Sequence, residues 1–240
     1  MLLATFCLRL ACGLAAALLI LSPKQVAPRF YRVQFLTILG LVAAAGFLIW
    51  GTADLWLLGV LVVALLLAFL GSVTWMLEGS PGGLTLVVLT CVALATALVL
   101  NVRPALADSA GWAVVAEEAS SAVVLGLATS AMLMGHSYLI APAMSIVPLV
   151  RLLMGLFAAI VVRMLVTGLE IALGSNAAIG PSDAYLWQPV RWGLGFLGPL
   201  ILTWMAWQCA KIRSTQSATG ILYVVVILVF IGELTGQLLR

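Results

Sequence analysis

Nineteen of the 240 side chains carry a formal charge. Several of them interrupt long apolar runs, where a charge is costly and therefore marks a candidate site. Glu117, Glu118, Arg151, Arg163 and Glu170 fall between residues 115 and 174, and the one histidine, His136, lies in the stretch 135–142 that separates two of those runs. On an ideal helix, Glu118, Ser121, Thr129, Met132 and His136 share a face, because eighteen residues make about five whole turns. Such a stripe suits a cavity in which His136 is an axial ligand to a haem or a hydrogen-bond donor to a quinone carbonyl. It equally suits packing against neighbouring helices, with the ring on a backbone carbonyl.

The two cofactor expectations are not equal. Membrane b-type haems often use two histidines, and with one in the chain a bis-histidine haem held by this chain alone is excluded. A quinone needs an apolar slot, one or two donors and a proton route. His136, Tyr138, Arg151, Arg213 and Gln216 are the residues expected to gather for it at one membrane interface. The same residues would also serve as a belt among lipid headgroups.

Arg163 is the sharpest single position. It falls near the middle of an apolar run, where an unpaired arginine costs at least about 2.5 to 3.5 kcal/mol on insertion scales. Glu170, about 10 Å further along the same helix, and Glu233 in the last apolar run are the candidate partners. Glu118, Arg163, Glu170 and Glu233 are thus expected to form an intramembrane charge network, either a structural ion pair or a path for protons or ions. Recognised catalytic signatures are missing: no H-E-x-x-H, G-x-S-x-G or Walker loop occurs. Cys7, Cys12, Cys91 and Cys209 lack the C-x-x-C spacing of a metal site and read as small buried apolar residues. No catalytic residue and no metal ligand is assigned, and whether the protein is an enzyme stays open.

The elements that must position these side chains follow from composition. Hydrophobic residues make up 65% and charged residues 8%, with a mean hydropathy of +1.26. That composition belongs to a chain whose solvent is mostly lipid. Backbone groups in hydrocarbon must be satisfied internally, and the runs lack strand-like alternation, so the expectation is an all-α polytopic membrane protein. The whole chain, 1–240, reads as a single transmembrane domain of about eight helices with short loops. The spans are expected near residues 3–22, 33–50, 55–77, 84–102, 115–139, 146–173, 189–210 and 216–238, with a short interfacial turn carrying Trp112. The first run reads as a retained span rather than a cleaved leader, and no internal repeat is visible.

Basic residues set the expected orientation. Lys24, Arg29, Arg32, Arg151, Lys211 and Arg213 share one side, against Arg103, Arg191 and Arg240, with Arg9 a further addition, on the other. The positive-inside rule then places both termini on the non-cytoplasmic side, in what reads as a bacterial inner membrane. The net charge of +3 comes without a basic cluster able to follow a phosphate backbone, so nucleic acid is not an expected partner. Membrane lipid and other membrane or peripheral subunits are. The favoured function is a subunit of a respiratory or electron-transfer assembly with a quinone- or haem-proximal site near His136. A structural or assembly subunit without ligand, and a small transporter with an Arg/Glu pathway, are the alternatives.

Overall fold

The computed structural model describes residues 2–77, 82–103, 111–141, 144–172 and 187–238. Among them the chain forms eight helices long and apolar enough to cross a membrane: α1 (Leu2–Ile20), α2 (Pro28–Ile49), α3 (Leu55–Thr74), α4 (Gly83–Asn101), α5 (Gly111–Ile140), α6 (Val147–Ala172), α7 (Trp187–Lys211) and α8 (Thr215–Leu238). The protein is an integral membrane bundle, all-α as expected. No strand occurs among the described residues.

Turn chemistry sets the boundaries. Pro28 sits in the first turn of α2, where its missing N–H costs nothing. The helix therefore starts five residues before the expected Val33 and carries Arg29 and Arg32 exposed on its opening turns. Gly51 (φ 90°) and Gly82 (φ 96°) adopt left-handed backbone in the turns before α3 and α4, conformations that need no Cβ. The expected turn at Trp112 is instead the first turn of α5, and α5 runs on through Gly135 and His136 to Ile140. The turn residues Glu78, Pro81, Pro104, Asp108, Pro142, Pro181, Asp183 and Tyr185 lie outside the described residues.

The packing order gives two four-membered rings. Helix α1 packs on α2, α2 on α3, α3 on α4 and α4 back on α1; likewise α5 packs on α6, α6 on α7, α7 on α8 and α8 back on α5. The rings meet chiefly along α1 and α5. These two helices point the same way, since an even number of crossings separates them. The first ring is closed by apolar side chains such as Ile38, Val42, Leu61, Ala64, Ala68 and Leu94. The second is not.

Small residues allow the close approaches. A Cβ at Gly13 of α1 would stand 2.8 Å from the Gly126 nitrogen of α5, and one at Gly195 of α7 would stand 2.8 Å from the Gly232 Cα of α8. Backbone therefore lies on backbone at both crossings, as membrane helices do where dispersion rather than water drives association. In α7 the segment Arg191–Leu197 winds as a π-helix, and the Gly198 N–H bonds the Gly193 carbonyl, five residues back. Pro199 follows directly. It has no N–H for the Gly195 carbonyl and its ring would crowd that carbonyl in an α-turn, so a widened turn is the natural relief.

Candidate functional site

Each helix of the second ring sends an ionisable side chain inward: Glu117 from α5, Arg163 from α6, Arg191 from α7 and Glu233 from α8. Arg9 joins from α1. Counting along the helices at 1.5 Å per residue puts all five about 6 to 14 Å from the helix ends on the side where residues 2 and 238 lie. They form one buried layer.

Arg163 is its centre, with 1% of its surface exposed. Its Nε and Nη2 donate to the two oxygens of Glu233 at 3.0 and 3.1 Å, Nη2 also donates to Glu117 Oε1 at 3.1 Å, and Nη1 reaches Ser120 Oγ at 3.4 Å. Of the two partners considered for Arg163 in the sequence, Glu233 makes the direct pair. Glu170, on the same helix, is buried at 7% exposure, within electrostatic reach of Arg163, Arg191 and Arg9. Among the described residues it accepts no hydrogen bond. Arg191 lies 3.6 Å from Glu117 Oε1, donates to Thr167 Oγ1 at 3.3 Å and faces the Phe196 ring.

The adjacent acids Glu117 and Glu118 cannot face one way, because successive helical residues point about 100° apart. Glu117 turns into the second ring. Glu118 turns to α1, where Arg9 grips both of its oxygens, the Nε contact measuring 2.6 Å. Ser121 links the two halves: its hydroxyl donates to Glu233 Oε2 at 2.5 Å and accepts from Arg9 Nη1 at 3.4 Å. With its amide oxygen turned to Arg9, Gln237 accepts from Nη1 at 2.9 Å and donates to the Leu2 carbonyl at 3.2 Å. A small apolar cavity between α1, α4 and α5, walled by Gly13, Ala95, Leu98 and Ala122, ends at Glu118.

Two members of this layer corrected the sequence reading. Arg9 and Arg191 were expected among surface charges near span ends, yet both are buried, at 1% and 3% exposure. The available signal was position: Arg9 lies seven residues inside α1, too deep for a surface charge, and its partner is 109 residues away in sequence.

The residues expected around a quinone are arranged differently. His136, Arg151, Arg213 and Gln216 are exposed. His136 Nδ1 lies 3.4 Å from the Tyr223 hydroxyl of α8. Tyr138 is buried and donates to the Ser145 carbonyl at 2.5 Å, tying the end of α5 to the turn before α6. None of these five lines the cavity at Glu118 or the cleft between α6 and α7 at Trp204 and Trp207. The polar face of α5 is thus buried from Glu118 to Thr129 and opens outward at His136, while Ser130, turned aside from that face, accepts from Gln34 of α2 at 3.0 Å.

Comparison of the chain with protein-family models, curated proteins and solved structures finds no match. The site itself carries the functional argument.

Proposed function

We propose that the protein is a small proton-conducting membrane transporter whose working half is the second ring, α5 to α8, with the first ring as scaffold. The observation that carries this reading is the buried layer in which Arg163 is shared between Glu117 and Glu233. A purely structural ion pair needs two partners. Here three guanidiniums, the carboxylates of Glu117, Glu118 and Glu233 and the hydroxyls of Ser120, Ser121 and Thr167 stand in bonding sequence across five helices, with Glu170 beside them, and a guanidinium with two alternative carboxylates can change partner as protons come and go. Ionisable groups this deep in a bilayer are expensive, and proton relays are a recurrent reason for them. The first ring supplies the contrast: Arg9, turned toward α5, is its one buried charge among the described residues.

The test is reconstitution into lipid vesicles holding a pH-sensitive dye. An imposed pH gradient should collapse faster with the wild-type protein than with Glu233→Gln at equal density. Equal rates would overturn the reading.

A second reading keeps the protein as a subunit of an electron-transfer assembly, among other membrane or peripheral subunits, with a quinone near His136. The pairing of His136 with Tyr223 on an exposed face favours it, since lipid-borne quinone would meet both. Unchanged quinone-linked turnover of an intact assembly carrying His136→Ala would remove this reading. A bacterial inner membrane with the side of residues 2 and 238 facing outward is part of both. Lys24, Arg29, Arg32, Arg151, Lys211 and Arg213 are all exposed on the opposite side, which supports that orientation.

A further inference from the structure

The buried layer does not balance. Arg9, Arg163 and Arg191 face Glu117, Glu118, Glu170 and Glu233, so among the described residues one negative charge is in excess if all seven ionise. An uncompensated charge in a low-dielectric interior is strongly unfavourable, and the remedy is a bound cation or a proton. A cation wants several oxygen ligands at once. No group of three or more His, Cys, Asp or Glu side chains arranged to hold a metal ion occurs among the described residues.

Three of the four carboxylates are held by arginine: Glu118 by Arg9, Glu233 and Glu117 by Arg163, with Arg191 close to Glu117. Glu170 is the exception. It is buried and accepts no hydrogen bond among the described residues. The charged groups around it are Arg163 of its own helix, Arg191 of α7 and Arg9 of α1, with Glu233 of α8 and Glu117 of α5 already bound to Arg163. Glu170 also stands two residues from the end of α6 at Ala172, nearer the aqueous phase than Arg163 by about 10 Å.

We propose that Glu170 takes up and releases the one proton that balances this layer, so that it is the station through which the pathway exchanges protons with water. The inference deepens the proton-conducting reading and rests on it. In the step itself a hydronium ion gives its proton to a Glu170 carboxylate oxygen and leaves as water; the reverse step returns it. With Glu170 protonated, the three remaining carboxylates match the three guanidiniums. With Glu170 ionised, the excess charge draws Arg163 or Arg191 toward it and loosens their hold on Glu117.

Two measurements on the full chain in lipid nanodiscs test the proposal. Infrared difference spectra between acid and alkaline buffer should show, apart from the bands of exposed acids such as Asp54, one carboxyl C=O band at the higher frequency of a group shielded from water, and Glu170→Gln should remove it while Glu118→Gln leaves it. A shielded band that survives Glu170→Gln overturns the assignment. For the case where that variant fails to fold, the wild-type protein is treated with dicyclohexylcarbodiimide, an apolar reagent that takes only protonated carboxyls. The carboxyl oxygen adds to the carbodiimide carbon and the proton to nitrogen, and acyl transfer then leaves a stable N-acylurea with nothing lost. Peptide mass spectrometry should place the label on Glu170, with labelling lost at alkaline pH. A label on Glu117, Glu118 or Glu233 instead, or on none of the four, overturns the proposal. Vesicle flux separates the two readings. A titrating Glu170 without flux removes the transport reading and keeps the proton site; flux with an unmodified Glu170 does the reverse.

Discussion

The pair Arg9–Glu118 shows what a charge in this bundle depends on. Both side chains are buried and bonded to each other through two contacts. Removing one leaves the other as a lone charge in the bundle, which costs about 3 to 5 kcal/mol, whereas apolar side chains of similar volume at both positions are often neutral or stabilising. Arg9→Met should therefore lower the thermal midpoint in mild detergent sharply, and Arg9→Met with Glu118→Met should recover most of the loss. A double variant as unstable as the single would show that Ser121 and Gln237, not Glu118, hold Arg9. Arg163 answers differently because it has two acids. Arg163→Leu should destabilise by a similar 3 to 5 kcal/mol, and no single glutamate substitution should rescue it fully, which the same assay reads.

Residue type made part of this legible in the sequence. Arg163, Glu118, Glu170 and Glu233 stand out because a charge within a long apolar run has few explanations. Glu117 drew notice beside Glu118 but had no assigned direction, since the 100° between neighbours decides nothing until the helices around α5 are known. Arg191 resembles the ordinary basic residues of span ends, and only three-dimensional packing tells such a charge from one turned inward; Arg9 differs, since its place seven residues inside α1 was a signal in itself.

At the level of elements, the crossings explain how five helices bring charges within 3 to 4 Å of one another. Gly13 lies one turn beyond Arg9 on α1, and Gly232 adjoins Glu233 on α8, so each tight crossing sits beside a member of the layer. Gly126→Leu would drive a side chain into the Gly13 backbone. It should separate α1 from α5 and abolish the folded monodisperse peak on size exclusion, while Gly40→Leu, where the added Cβ meets nothing within 4 Å, should leave it intact. The π-helical turns matter in the same way. Pro199→Ala removes the reason for the widened turn, and a return to α-helix would rotate everything before it by about 100°. Arg191 would then swing away from Glu117 and Thr167, and vesicle flux should fall although the protein remains folded. The spans were legible from hydropathy alone. The π segment was visible only as small residues around Gly198-Pro199, which indicate a kink without saying which way it turns.

For the whole molecule, the double ring is the feature the sequence did not disclose. Hydropathy counts helices but says nothing of which pack together, and the halves carry different residues at their centres, so no repeat shows. The arrangement predicts that the chain can be divided. Segments 1–107 and 108–240, expressed together, should copurify through the α1–α5 seam, and Gly126→Leu should prevent it; failure of the unmodified halves to associate would show that the connection between the rings is needed to hold them. The buried state of Arg9 and Arg191 also sharpens the surface charge asymmetry. Of the described basic residues on the side of residues 2 and 238, Arg103 alone is exposed, against six on the other.

The link from α1 to α5 also sets a schedule for synthesis. Arg9 and Glu118 are 109 residues apart, and at roughly 5 to 20 residues per second the ribosome makes the second about 5 to 20 s after the first. Throughout that interval α1 holds an arginine within an apolar segment before its carboxylate exists. The helix must then lodge beside the insertion machinery or draw its guanidinium up to the headgroups until α5 arrives. The bundle therefore closes around its first helix only once about half of the chain has been made, and Arg9→Leu, though harmful to the finished protein, should speed the release of α1 from the insertion site in a stalled-chain crosslinking experiment.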